Sequence, residues 1–474
     1  MTPVLTKDAP QVETIWDQLL PELLRELPQT LADLDRVLDG PALLQQFEKH
    51  WGRANLRVGR PSIPMATYLR LMALKQSHGW GYERLTRQVG DSFQFRRFCR
   101  IPITSEVPDE STLRKLTRRL GSALVADLIR EVVKLAVAER GFKVRALRCD
   151  STVQEADVRY PTDSGLLADA IRVLPRLARR VQAALPGVAG KVRDRGRAAG
   201  RRLRELHRSL RRRSGDAQEQ VQRLTEQIAK LAKASLGQAR RLLREAQLEL
   251  DATRCGSGRR AQSAVTKLEE MIALGAKVVE QVRQRYAGEK IQDRVVSLFD
   301  AAARPIRKGK LAKPNQFGCT VQYTELSPHT RRGARGLLVP PQVGIGNVPE
   351  DKLLPGTVTE ILGLDLKPIE AVFDGVFTSK STTAELARLG SDIHIFIAGR
   401  RTNPGSRRTR KRLASHRVGC EGRIAHLKRE LGAGRSRLKG AEGARIWSNW
   451  AALAYNVETV SRLPIKKEPQ ATAI

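Results

Sequence analysis

A strand, then a very long helical interruption, then strands again: that order constrains this chain most. Lys143 to Thr152 reads as a short buried strand, with Val144, Ala146, Leu147 and Cys149 apolar. Strand-like sequence resumes only beyond the Pro/Lys-containing link Arg304–Pro314, at Gln316 to Tyr323 and Gly336 to Ile345. In between, residues 165–303 are poor in aromatics and rich in Ala, Leu, Arg, Gln and Glu. Val221, Leu224, Ile228 and Leu231 recur there at three- and four-residue spacing, the signature of amphipathic helices. The pattern predicts an α/β core interrupted after its first strand by a helical hairpin or bundle. A helix over Glu350–Leu362, a strand ending at Asp374, a helix near Ser381–Leu389, a strand Ile393–Ile397 and a final helix complete the order.

Two of these strands deliver a carboxylate at or near the carboxyl end. Asp150 follows Arg148-Cys149 and precedes Ser151-Thr152; Asp374 follows Ala371-Val372-Phe373 and precedes Gly375. A strand-end Asp capping a turn is the ordinary reading. A metal ligand at a sheet edge is the other. A third carboxylate, Glu421, lies on a helix in which Cys420, Ile424, Leu427 and Leu431 repeat at helical spacing. Arg417, Glu421 and Lys428 lie four and seven residues apart and share one face, at the margin of that apolar stripe.

Asp, Asp and Glu in this order resemble the bacterial insertion-sequence DDE transposases, whose signature is Tyr-(2)-Arg-(3)-Glu-(6)-Lys. Arg417, Glu421 and Lys428 match its intervals; Ala414 stands where the signature has Tyr. Asp150-Ser151-Thr152, Tyr160-Pro161-Thr162-Asp163-Ser164, Gly419 to Ile424, Arg304 to Lys310 and Ala454-Tyr455-Asn456 look most like the ISNCY-type group. The likeness runs over residues 60–460. It implies a ribonuclease H-like catalytic core and two-metal phosphoryl transfer, with Mg²⁺ or Mn²⁺ held by Asp150, Asp374 and Glu421. Asp150 would bridge both ions, with Asp374 on one and Glu421 on the other. Carboxylates are the hard oxygen ligands such ions take. The implied function is end binding, DNA cleavage and joining of the freed 3′-hydroxyl to target DNA, by a homodimer in a synaptic complex. A ribonuclease H-like nuclease that cuts without joining, and a non-catalytic architectural DNA-binding protein, are the alternatives.

Charge points to the same class of partner. Eighty-five Lys and Arg against fifty Asp and Glu leave a net +35, which favours a polyanion. From Arg172 to Arg213 there are fifteen Lys or Arg, opposed only by Asp194 and Glu205. Such a stretch self-repels unless phosphate neutralises it, so Arg201, Arg202, Arg204, Arg208, Arg211 and Arg212 are candidate duplex-backbone contacts; a solvated spacer is the alternative. Residues 1–140 read as a helical DNA-binding or dimerisation region. Within it, Ile15, Leu19, Leu20, Leu23 and Leu24 form one apolar face, and Asp109 suits a helix N-cap. Short helices around Ser77–Gly81 suit a reader of the element ends, with Arg84, Arg87, Arg96 and Arg97 its candidate contacts. Arg417 and Lys428 are suited to phosphate. Residues 141–164 and 304–460 form the expected catalytic core, and 461–474 a tail. The five cysteines are scattered without a CxxC pair, which suits small core residues in a reducing cytoplasm. Neither a signal peptide nor a membrane-spanning run is expected.

Overall fold

The computed structural model describes residues 5, 6, 15, 19, 21, 25–51, 63–211, 215–252, 258–307, 315–390 and 392–465. Leu20, Leu23, Leu24, Arg212 and Lys308–Pro314, which figured in the expectations above, lie outside them. The chain forms two compact units, Met1–Asp157 with Gly318–Ile474, and Val158–Phe317.

From Gln29 on, the described residues of the first unit form the helices α1 Gln29–Leu38, α2 Pro41–Trp51, α3 Met65–Ser77, α4 Tyr82–Asp91, α5 Phe93–Phe98 and α6 Glu110–Glu139 ahead of its sheet. Every residue of α3 from Met65 to Gln76 is buried, including two cations. Each has a compensating partner, as buried charge requires. Arg70 donates to Asp35 at 2.7 Å and Asp39 at 3.2 Å, and the Lys75 ammonium sits 4.0 Å from the Trp447 ring centre. Asp109 caps α6, accepting from the backbone N–H groups of Ser111 and Thr112. α6 is two helices joined end to end at Gly121, whose φ of 74° breaks the helical path.

The sheet follows: β1 Ala146–Ala156, β2 Arg304–Arg307, β3 Asn315–Ser327, β4 Leu337–Leu338, β5 Gln342–Ile345, β6 Glu370–Phe373, β7 His394–Ile397 and β8 Arg435–Ser436. Within the first unit the order across the sheet is β3-β1-β6-β7, with β4 and β5 along β3 and β8 on β1; β2 belongs to the second unit. β3 runs antiparallel to β1, while β6 and β7 run parallel to it. The mixed α/β architecture agrees with the sequence expectation. The expected strand Gly336–Ile345 is split into β4 and β5 by Pro340 and Pro341, which have no N–H for a ladder. Helices α11 Leu354–Gly363, α12 Lys380–Ala387 and α13 Arg407–Arg429 alternate with the last strands, and α14 Gly440–Ser461 closes the unit. Trp447, Trp450 and Tyr455 of α14 are buried, as a core face predicts.

The second unit contains α7 Asp163–Ala184, α8 Gly196–Ser209, α9 Ala217–Ala252 and α10 Gly258–Tyr286. Its core is aliphatic: Leu167, Ile171 and Leu174 of α7 meet Ile228, Ala232 and Leu242 of α9 and Val265 and Leu268 of α10. Apolar positions three and four apart on each helix create that stripe. Arg197, Arg201, Arg204 and Arg208 lie on the opposite, exposed face of α8, spaced four, three and four apart.

Candidate active site

Asp150 lies in the middle of β1 rather than at its end. The long β3 carries the antiparallel ladder on past it, from Ala146↔Ser327 through Asp150↔Tyr323 to Glu155↔Gly318. On the other side the parallel ladder is shorter, running from Ala146↔Glu370 to Arg148↔Val372. Continuing that register two residues sets Asp150 level with Asp374, just past the end of β6. The two carboxylates therefore flank the point where β1 and β6 part. Each is anchored by the next residue's backbone: Ser151 N–H donates to Asp150 Oδ1 and Gly375 N–H to Asp374 Oδ1, both at 2.8 Å.

Glu421 comes from α13, and its side chain is 66% exposed. One turn earlier, Arg417 reaches both outlying carboxylates, with Nη1 3.6 Å from Asp374 Oδ1 and Nη2 3.6 Å from Glu421 Oε1. Burial pushes the Asp150 carboxyl above its ordinary value, and the charges of Asp374 and Glu421 push it the same way. The Ser151 N–H and the Arg417 guanidinium oppose them. Residues from three distant stretches of the sequence thus share one electrostatic site. Among the described residues, however, no group of three or more His, Cys, Asp or Glu is gathered closely enough to hold a metal ion. The donors suit a hard divalent cation in kind. In this arrangement the Arg417 cation stands between two of them.

Two clamps hold α13 on the sheet. Arg412 grips Glu370 at the start of β6 with both arms, at 2.9 and 2.5 Å, and Thr330 donates to the same carboxylate. Deeper in, Arg148 of β1, Glu325 of β3 and Arg423 of α13 form a buried cluster. The sequence reading passed over both. An Arg inside an otherwise apolar strand was the available signal for the second, because charge in a buried strand demands a partner.

The other candidates are placed as follows. Lys428 lies seven residues beyond Glu421 on α13, about 10 Å along the axis, half-buried with its stem against Gly434. Arg84 is exposed, its guanidinium 5.8 Å from the Trp80 ring centre, and Arg87 pairs with Glu83 at 2.9 Å. Arg97 is half-buried on α5. Arg96 donates to the carbonyls of Gly90, Pro102, Ile103 and Ser105, so its guanidinium organises a loop. On α8, Arg202 bonds Gln227 at 2.9 Å; Arg201, Arg204 and Arg208 are exposed, as is Arg211 just beyond the helix.

Residues 21–119 match the family model described as transposase domain (DUF772). The match supports a transposase role for the chain. It covers the helices that carry Arg84, Arg87, Arg96 and Arg97 and ends before Asp150, so the acidic site lies outside the transposase-domain stretch. The chain is also 26% identical, over 140 residues, to an uncharacterized protein, ORF8 in the nfe locus, of Rhizobium meliloti. That likeness covers 28% of this chain and 68% of the relative. No solved structure matches. No helix among the described residues is long and apolar enough to cross a membrane.

Proposed function

We propose that this chain is a DDE-type insertion-sequence transposase of the ISNCY-type group, cutting DNA at the element ends and joining the freed 3′-hydroxyl to target DNA. The observation that carries this reading is the meeting of Asp150, Asp374 and Glu421 around Arg417, beyond a transposase-domain match. The sheet supports a ribonuclease H-like core, because antiparallel β3 and parallel β6 flank the strand bearing the first carboxylate.

In this reading Asp150, Asp374 and Glu421 are the residues that would hold Mg²⁺ or Mn²⁺. Bound there, the ions would activate the attacking oxygen and offset the charge of the crowded phosphate. The chain's own residues do the rest. Arg417, whose two guanidinium arms already face the acidic groups, is suited to receive a phosphate oxygen as a forked donor. The basic face of α8 follows the duplex backbone, and the helices of residues 60–140 read the element ends.

The test uses labelled duplexes made from the DNA on either side of this reading frame, where the proposal expects inverted repeats. The full chain is expected to nick and join them with Mg²⁺ or Mn²⁺ and to be silent in EDTA. Asp150→Ala, Asp374→Ala and Glu421→Ala should each abolish cleavage while leaving end binding in place. Full cleavage by any of the three, or in EDTA, refutes the assignment. Cleavage without joining would leave a nuclease.

A further inference from the structure

From Gly399 to Cys420 the chain carries eight Lys or Arg and no Asp or Glu. Two of the eight face carboxylates: Arg412 grips Glu370, and Arg417 lies between Asp374 and Glu421. The other six, Arg400, Arg401, Arg407, Arg408, Arg410 and Lys411, are exposed, and among the described residues no ion pair involves them. Four of the six crowd the start of α13, whose first turn has no acidic residue. That is the end where the helix dipole is positive, so cations there oppose it and an anion suits it. Ser406 already caps the helix, its hydroxyl accepting from the Thr409 N–H at 3.1 Å. The fold gains nothing from this placement of charge, whereas a bound anion would be held by side chains and dipole together.

Two features tie these cations to the acidic site. The first is the sheet. Ile397 of β7 pairs with Phe373 of β6, and the Ala398 N–H donates to the Phe373 carbonyl at 3.0 Å. The basic loop therefore leaves the sheet beside Asp374. Buried Asn403 fixes its path, donating to the carbonyls of Ile397 and Arg400 at 2.7 and 2.9 Å and accepting from the Ile397 N–H at 2.9 Å. The second is the helix. Arg407, Arg410, Arg417 and Glu421 are spaced three, seven and four residues apart, which puts them on one face of α13. Leu413, His416 and Cys420 hold the opposite face against the protein. From Arg410 to Glu421 the row is about 16 Å long, roughly five nucleotides of a duplex strand.

Resting on the functional reading above, we propose that the start of α13 and the loop Gly399–Ser406 form a DNA-backbone surface that carries the strand beside the cut. Arg407, Arg408, Arg410 and Lys411 take successive phosphates, and Arg400 and Arg401 line the same edge nearer Asp374. The surface reads no bases. It is separate from the helices of residues 60–140 and from α8, and it belongs to the helix that bears Glu421.

The full chain carrying Arg407→Gln, Arg408→Gln, Arg410→Gln and Lys411→Gln tests this in two arms. The four side chains are exposed and oppose the dipole, so the variant is expected to unfold at no lower urea concentration than wild type. The first arm titrates a short duplex of unrelated sequence in EDTA, where neither cleavage nor end recognition enters. The log-affinity against log-salt slope should become shallower, by up to about 0.9 per lost phosphate contact. The second arm takes a duplex that the wild-type chain cuts and replaces one phosphate at a time by a neutral methylphosphonate, again in EDTA. Wild type should bind about tenfold less tightly when the neutral group falls within the few phosphates beside the cut, as loss of a hydrogen bond to a charged group implies. The variant should be indifferent at those positions. Should the quadruple variant not fold, Arg410→Gln alone, on the Glu421 face, decides in its place. A wild-type slope in the folded variant, or undiminished sensitivity to neutral phosphates beside the cut, overturns the inference and leaves the functional reading standing. A wild-type chain that cuts no duplex overturns the functional reading, while the first arm still decides whether this surface takes DNA.

Discussion

Two glycines three residues apart on α13 should respond to the same substitution with opposite signs. Alanine in a helix interior is favoured over glycine by about 1 kcal/mol through backbone entropy alone. Gly422 is exposed, and a Cβ built there meets nothing within 4 Å, so Gly422→Ala should stabilise by about that amount. A Cβ at Gly419 would lie 2.0 Å from Arg148 Nη1 and 2.9 Å from its Cζ. A guanidinium at the end of a flexible side chain ordinarily moves aside at little cost. This one is buried, bonded to the His416 carbonyl and to Glu325, and moving it strips partners from a buried carboxylate. Breaking a buried pair costs about 3–5 kcal/mol, so after the propensity gain Gly419→Ala should destabilise by about 2–4 kcal/mol. Urea unfolding followed by tryptophan emission measures it. The tryptophans among the described residues, Trp51, Trp80, Trp447 and Trp450, lie in the unit that holds α13, so the signal reports that unit. With a typical slope of about 1–3 kcal/mol per molar urea, the midpoint should move down by about one molar or more. If Gly419→Ala matched or exceeded wild type, the close approach of α13 to Arg148 would be wrong. If Gly422→Ala lost as much, helix propensity rather than contact would be at work.

Three further outcomes are expected. Arg417 pulls the Asp150 carboxyl down against burial and two acidic neighbours, so Arg417→Gln should let it rise further, and the acid limb of the cleavage–pH profile should move to higher pH; an unmoved limb refutes the shared site. His416 is buried with neither ring nitrogen hydrogen-bonded, and burial first, then the Arg148 charge, push it down from 6.5 to about 4. Between those values the unfolded chain binds the extra proton, so stability should fall as pH drops from 6.5 to about 4 and this contribution should stop falling below that. His416→Phe should remove that component, and an unfolding free-energy difference between the two proteins that stays flat over the window would contradict it. On the basic face beyond the α7–α8 turn, changing Arg201, Arg204, Arg208 and Arg211 to Gln should weaken binding to all DNA sequences alike. It should flatten the log-affinity against log-salt slope by up to about 0.9 per lost phosphate contact; a slope equal to wild type would make the stripe a solvated face.

Much of the fold could be read locally because its periodicities are local. The Asp374 strand, the Glu421 helix and the long helices of the second unit each carry their own apolar repeat. What escaped was set by partners distant in sequence. Asp150 looked like a strand end because Ser151-Thr152 reads as a turn, yet the ladder to β3 holds the strand through Ala156. Gly419 in Gly419-Cys420-Glu421 looked like a family word and proved to be the point where α13 meets Arg148. Arg148 and Glu325 were invisible as a pair because charge in sequence reads as surface until the cross-strand register Arg148↔Glu325 is known. The order and spacing of the three carboxylates are legible in the sequence, whereas the distance at which Arg417 holds two of them has no local signature.

The interruption of the sheet also dictates a sequence of events during synthesis. β1 is complete at Ala156, but its antiparallel partner begins pairing at Gly318 and finishes at Ser327. At about 5–20 residues per second, the ribosome needs roughly ten to thirty seconds to supply the intervening chain. Throughout that time one edge of β1, with its unmet N–H and C=O groups, waits without β3, an invitation to pair with a neighbouring nascent chain. The helices emerging in the interval make contacts much closer in sequence and are the kind that form early. Closing a flexible loop of that length would cost about 4–5 kcal/mol in chain entropy. A helical unit folded first replaces that loop with a short span, so the least aromatic part of the chain would lower the entropy that closing the sheet costs.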